Sequence, residues 1–277
     1  MAKINNYSPI GIFDSGVGGL SVLRAIREQL PSESILYIAD QAHVPYGSRP
    51  LGEVRDFSVE VARLLISQGA KLIVVACNTA SAAALHYLRE IYRSVLFVGM
   101  EPAVKPAVEQ SQTGVVGVLA TSATFQGELY ASVIERFANG VNVLQDTCPG
   151  LVGQIEKGEM DGPVTRVILE TALIPMIKEN IDTIVIGCTH YPFVIPLIQE
   201  IVGEKVRVID PAPAVARQVG RLLDFFSLKN SREERGKITF YTSGDVVSFQ
   251  SLLNKLIGEH GSVTRVIWTE TRSLVIK

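Results

Sequence analysis

The chain has 277 residues, which at roughly 150 residues per domain suggests two domains and is long enough to bury a core without a disulfide or metal staple. Hydrophobic residues make up 47% and charged residues 19%, with a mean hydropathy of +0.26, and this excludes a largely disordered protein. Lys and Arg total 26 against 28 Asp and Glu, so there is no basic excess for nucleic acid and no polybasic stretch for a membrane; a small molecule is the expected partner.

The opening stretch mixes Lys3, Asn5, Asn6 and Tyr7 and carries no apolar signal core. No window reaches about 18 uninterrupted apolar residues, so no bilayer-spanning helix is expected. Strands are expected at 10–13, 34–38, 72–76, 95–98, 115–119, 141–144, 183–186 and 206–209. Most are apolar without alternation, the pattern of parallel strands covered on both faces. Helical patterns lie between them, for example Val54, Phe57, Val61, Leu64 and Leu65 at spacings that form one face. Strand then helix, repeated, predicts an α/β fold with parallel sheets and right-handed crossovers.

Two segment pairs echo each other. KLIVVACNTAS, with Cys77, resembles DTIVIGCTHYP, with Cys188, at an offset of 188 − 77 = 111. GIFDSG, from Gly11, resembles GVLATS, from Gly117, at an offset of 117 − 11 = 106. Similar offsets predict two homologous α/β halves, with boundaries near 99–102 and 210–213. The polar stretch 227–237 reads as an exposed loop. Beyond it come a strand at 238–242, a helix at 247–257 and a final strand at 263–268, and pattern alone does not say which half they join.

Ligands of parallel α/β sheets sit beyond the carboxyl ends of the strands. Four polar segments fall there: the turn from Asp14 to Gly19, the run from Asp40 to Ser48, Cys77-Asn78-Thr79, and Cys188-Thr189-His190. The glycine turn opens a helix at 20–30, whose free N–H groups suit a carboxylate. A dinucleotide fingerprint fits poorly, because Ser21 holds its sixth position and Asp14 places an anion beside it; a phosphate-loop GK[ST] is missing too.

A single buried cysteine is ordinarily a small core residue, and Cys148, before Pro149, is read so. Cys77 and Cys188 differ, since each leaves a strand into hydroxyl residues and an expected helix start. There a helix N-terminus should lower a thiol's pKa from about 8.5 toward neutrality. Two such thiols on facing halves suit inversion at a stereocentre: one thiolate removes a proton and the opposite thiol supplies another. Each sulfur should lie roughly 3–3.5 Å from the carbon, so the sulfurs should be roughly 7 Å apart. A disulfide would need about 2.05 Å, so both thiols should be free, as in a reducing cytoplasm. The anionic intermediate needs N–H and hydroxyl donors in a dry site, and Ser15, Ser48, Thr79, Thr121 and Thr189 are available.

Other chemistries are open on the same residues. Cys188, His190 and Asp14 could form a cysteine-nucleophile site, although a thiol and imidazole two residues apart do not make a dyad by themselves. Zinc would want four convergent ligands, and only Cys188 and His190 pair locally. A non-catalytic binder of acidic metabolites would use the same polar strand ends. None of the 10 lysines lies in a strand-end motif, so nothing supports a pyridoxal Schiff base. No arginine lies in the glycine turn or either cysteine motif, and Arg49 only borders the third segment, so substrate carboxylates should meet backbone N–H groups and hydroxyls. Asp210-Pro211 reads as a strand-end turn, and His43 and His86 as surface or helix-face residues.

GIFDSGVGGLSV, DQAHVPYGS, VACNTAS, GVLATSAT and IGCTHYP, in this order, resemble the signature segments of the glutamate racemases, and YTSGD at Tyr241 to Asp245 is similar to the family's C-terminal part. The resemblance implies two pseudo-symmetric parallel-sheet α/β domains facing each other across the active site. The first would comprise residues 1–99 with 210–277, on the Cys77 side, and the second residues 100–209, on the Cys188 side. It implies cofactor- and metal-free interconversion of L- and D-glutamate, supplying D-glutamate for peptidoglycan, by a homodimer. An aspartate-specific relative is the nearest alternative. Cys77 would act on the α-proton of D-glutamate with Asp14 assisting, and Cys188 on that of L-glutamate with His190 assisting. Asp14, Ser15, Pro45, Tyr46, Gly47, Ser48, Asn78, Thr79, Thr121, Thr124, Thr189 and His190 would contact substrate. Glu156, in CPGLVGQIEKG, matches an acidic residue placed beside the second base, in a segment that departs from the commoner pattern around 150–154.

Overall fold

The computed structural model describes residues 4–277. Four strands come first: β1 (Ile10–Asp14), β2 (Ile35–Ala39), β3 (Leu72–Val75) and β4 (Leu96–Gly99). A second set follows: β5 (Val115–Ala120), β6 (Asn142–Asp146), β7 (Thr183–Gly187) and β8 (Arg207–Ile209). The chain closes with β9 (Ile238–Thr242), β10 (Val263–Trp268) and β11 (Leu274–Ile276). The expected strands match these to within one or two residues at each end.

A seven-stranded sheet runs β11-β10-β9-β2-β1-β3-β4, and a four-stranded sheet runs β6-β5-β7-β8. The order β2-β1-β3-β4 is repeated as β6-β5-β7-β8, so the repeat heard in the sequence is a repeat of topology. Gly11 and Gly117 lie on the corresponding strands β1 and β5, and Cys77 and Cys188 follow the corresponding strands β3 and β7. All these inner strands pair in parallel, and β1, β3 and β7 are buried along their whole length. Continuous burial is why their side chains are apolar without alternation.

Two expectations need correcting. The strand at 263–268 is not the last: β11 pairs antiparallel with β10, so the larger sheet is not wholly parallel. Three residues are too few to show a period. Nor does an α-helix start just after Cys188. A single 3-10 turn, Tyr191–Val194, comes first, then the helix Ile195–Val202, because Pro192 and Pro196 withhold N–H donors from the opening turns. The stretch 227–237 is a mostly exposed connection, as expected.

The core is continuous between the halves. One cluster of buried side chains runs from Ile12 and Val74 of the first sheet to Ile184 and Ile186 of the second. The helix Leu20–Gln29, which follows the glycine turn, lies within it and packs against the helix Ala212–Phe225. Among the described residues, no helix is long and apolar enough to cross a membrane.

Candidate active site

β1 ends in Asp14, and its carboxylate folds back over the glycine turn: Oδ2 accepts the N–H of Gly16 at 3.1 Å and of Gly19 at 3.0 Å. The N–H of Val17 donates to Glu156 Oε1 at 2.7 Å. Three N–H groups of this turn, those of Gly16, Val17 and Gly19, are therefore filled by the protein's own carboxylates. Asp14 and Glu156 satisfy these three N–H groups without a ligand, so a carboxylate bound at this turn would not be held by them. The glycines serve close approach. A Cβ at Gly16 would overlap the Glu156 carboxylate, and one at Gly18 would overlap the His190 ring. A Cβ on Gly19 would lie 2.7 Å from that of Asp14.

Cys77 caps the helix Asn78–Ile91, its sulfur accepting the N–H of Ala80 at 3.5 Å, and its thiol points to Ser15 Oγ at 4.0 Å. The expectation of a lowered thiol pKa does not hold here. Burial and then the Asp14 carboxylate push Cys77 well above the ordinary thiol range and outweigh the Ala80 N–H.

On the other side, Cys188 Sγ lies 3.9 Å from His190 Nδ1, and His190 Nε2 lies 2.6 Å from Glu156 Oε1. Burial disfavours the imidazolium, but the hydrogen bonds to Cys188 and Glu156 and the charges of Glu156 and Asp14 prevail, and His190 is held well above its ordinary pKa. Burial likewise opposes the Glu156 charge, yet its bonds to His190, Val17 and Gln41 keep it below the ordinary carboxylate value. The Cys188 sulfur, the His190 ring and the Glu156 carboxylate form a row.

Both thiols open on a small cavity of about 10 Å³. Both cysteines, Ser15, Asn78, Thr79, Thr121, Thr189 and His190 line it, with Pro45, Tyr46, Gly47 and Val152 completing the wall. Asn78 is buried there with neither its Nδ2 nor its Oδ1 bonded, which leaves a donor and an acceptor for a ligand. The hydroxyls of Thr79 and Thr121 lie 2.8 Å apart and those of Thr121 and Thr124 2.9 Å apart, so Thr124 stands one step behind the wall. Thr189 donates to Asp14 Oδ1 at 3.3 Å. Tyr46 is fully buried and donates to Asp40 Oδ2 at 2.7 Å, which anchors the segment carrying Pro45 and Gly47.

Not every expected residue reaches the cavity. Ser48 is exposed and opens on an adjacent outer cleft with Gly150 and Gly153. Asp14 and Glu156 act from behind the lining. His43 departs from a plain surface reading, because it stacks on Phe57 at 3.9 Å and bonds Asp40 at 2.9 Å. His86 is exposed and Cys148 is a core residue, both as expected, and Asp210 caps the N–H of Ala212. Sequence reasoning passed over Gln41, whose Nε2 donates to Glu156 Oε2 at 2.9 Å; its place in DQAHVPYGS was the available signal. Among the described residues no Lys or Arg lines the cavity, and no group of three or more His, Cys, Asp or Glu is placed to hold a metal.

Two α/β halves of one topology, with both thiols and a set of hydroxyls on a cavity lined from each half, define a two-domain α/β enzyme of the racemase kind. Residues 10–219 match the family described as Asp/Glu/Hydantoin racemase. The glutamate racemase of Roseiflexus sp. (strain RS-1) is 49% identical over 249 residues, 90% of this chain and 92% of that one. A glutamate racemase isoform from Bacillus anthracis superposes with a TM-score of 0.85 at 36% identity, covering 93% of this chain and 97% of that one. The glutamate racemase from Francisella tularensis in complex with D-glutamate gives a TM-score of 0.83 at 29% identity, covering 95% and 98%. The chain belongs to the Asp/Glu/Hydantoin racemase family, among its glutamate racemases, and is an amino-acid racemase.

Proposed function

We propose that this chain interconverts L- and D-glutamate by two-base proton transfer, with Cys77 and Cys188 on opposite faces of the α-carbon. The observation that carries the reading is the placement of both thiols, from corresponding strand ends, on one cavity. From L-glutamate, the Cys188 thiolate takes the α-proton while the Cys77 thiol delivers its own to the other face. The enzyme is left with Cys77 as thiolate and Cys188 as thiol, the state that runs the reverse reaction. The burial that keeps Cys77 protonated suits it as the acid of this direction, and the His190–Glu156 pair places positive charge beside Cys188. Asp14 stands to Cys77 as His190 stands to Cys188.

Asn78 and the hydroxyls of Ser15, Thr79, Thr121 and Thr189 would hold the substrate carboxylates and the anionic intermediate, in a site dry enough for those bonds to be strong. Thr124 would support them, and Pro45, Tyr46, Gly47 and Ser48 would close the mouth. The two working bodies are residues 1–99 with 210–277, and residues 100–209. The same reading makes the enzyme a cytoplasmic homodimer, without cofactor or metal, that supplies D-glutamate for peptidoglycan.

Proton NMR of each glutamate enantiomer in heavy water, with reduced, EDTA-dialysed protein, tests the activity. Loss of the α-proton signal with growth of the opposite enantiomer is expected, at a rate EDTA does not change. Exchange of aspartate alone would move the substrate assignment. Cys77→Ser and Cys188→Ser should each nearly abolish racemisation, and full activity in either variant would overturn the two-thiol mechanism.

A further inference from the structure

We propose that Gln41 is a positioning residue of the racemisation: its side-chain amide fixes Glu156 in the orientation that sets His190 against Cys188. The inference rests on Cys188 being a proton-transfer group, as proposed above.

The argument is one of donor direction. The N–H of Gly244 donates to Thr242 Oγ1 at 3.0 Å, and the Thr242 hydroxyl donates to Gln41 Oε1 at 2.8 Å. A hydroxyl has one hydrogen to give, and here it is given to Gln41. With its Oε1 on the Thr242 hydroxyl, the amide presents Nε2 to Glu156 Oε2, at 2.9 Å. Turned the other way, its oxygen would face a carboxylate, acceptor against acceptor. Glu156 Oε1 meanwhile takes the Val17 N–H at 2.7 Å and His190 Nε2 at 2.6 Å. Three N–H donors from three separate segments leave the carboxylate no free rotation. Gly244 lets the two segments approach closely, since a Cβ there would lie 2.8 Å from the Gln41 Cβ. Gln41 does not line the cavity, so it acts through Glu156. The titratable groups around this carboxylate are His190, Asp14 and Tyr37, with Asp40 next to Gln41 in the chain.

The test compares kcat in both directions, against pH, for wild type, Gln41→Glu, Gln41→Leu and Thr242→Val, with Cys188→Ser as reference. A neutral glutamic acid at position 41 can donate to Glu156 as the amide does, whereas its ionised form would repel it. The ratio of Gln41→Glu to wild-type kcat should therefore be near one in acid and fall as pH rises through the substituted carboxyl's titration. Gln41→Leu should lose about tenfold or more in kcat at every pH, with KM little changed, as expected for losing a bond to a charged group. Thr242→Val should lose less, because the amide is kept and only its bias is removed. A purely structural role would lower thermal stability without making the Gln41→Glu ratio depend on pH. A ratio flat from about pH 4 to about 8, or wild-type kcat in Gln41→Leu, would overturn the inference provided Cys188→Ser is inactive. An active Cys188→Ser would instead bring down the two-thiol reading on which it rests.

Discussion

At Gly18 a single hydrogen in place of a side chain lets the first half approach the second. An alanine methyl there would meet the ring of His190, and the ring could escape only by leaving Cys188 or Glu156. Gly18→Ala is expected to lower kcat by about 10²-fold, the scale of a misplacement near 1 Å in a proton-transfer site. Gly52 is the matched control, since nothing lies within 4 Å of its would-be Cβ. Gly52→Ala, in the first turn of the helix Leu51–Ser67, should keep its activity and gain up to about 1 kcal/mol of stability. Racemisation assays and urea titrations of the two variants check both outcomes. The same scale explains the Cys77 pKa: a helix N-terminus stabilises a thiolate, but here burial and Asp14 oppose it, and burial leads.

Elements meet at two buried charges. Asp40, just past β2, accepts Ser243 Oγ, Trp268 Nε1 and Tyr46 Oη at 2.7 Å each and bonds His43 Nδ1 at 2.9 Å. The C-terminal strands thus reach the cavity wall through one carboxylate. Trp268→Phe keeps the aromatic contact with Phe57 but removes a charged hydrogen bond, and should cost about 1.5–3 kcal/mol in urea unfolding. It should also raise the KM for glutamate by loosening the segment that carries Tyr46. Lys71, fully buried at the entry to β3, bonds Glu33 at 2.5 Å and the carbonyls of Asn6 and Leu228, tying the chain's start and the 227–237 connection to the sheet. Lys71→Met leaves Glu33 charged and half-paired, so a loss of about 3–5 kcal/mol is expected. The double variant Lys71→Met/Glu33→Leu should recover part of that loss, and no recovery would show that the carbonyl bonds carry the stability.

Over the whole molecule, Glu156 links the two halves through Val17 and Gln41, and its pairing with His190 makes stability depend on pH. His190 is raised above 6.5, so its contribution is fully present below that value and is lost as pH climbs through its folded pKa. Glu156 is lowered below 4.5, so its contribution is present above that value and is lost as pH falls through its folded pKa. The unfolding free energy of wild type minus that of Glu156→Gln should be largest between these limits and shrink at both ends. A difference constant with pH would mean that the variant loses packing alone.

The strands were legible because burial on both faces selects unbroken apolar runs, and the repeat was legible because corresponding strands end in corresponding motifs. The two thiols stood out for the same reason: Cys77 and Cys188 hold one position in two copies of a unit. Such information is local, written in a few consecutive residues. Donor and acceptor partners join distant segments, and only the tertiary structure decided them. It filled the glycine turn with Asp14 and Glu156, raised Cys77, placed Ser48 outside the cavity and brought Gln41 to Glu156, 115 residues away along the chain. Burial and charge depend on what the other half presses against each group, and a linear spacing carries no record of that.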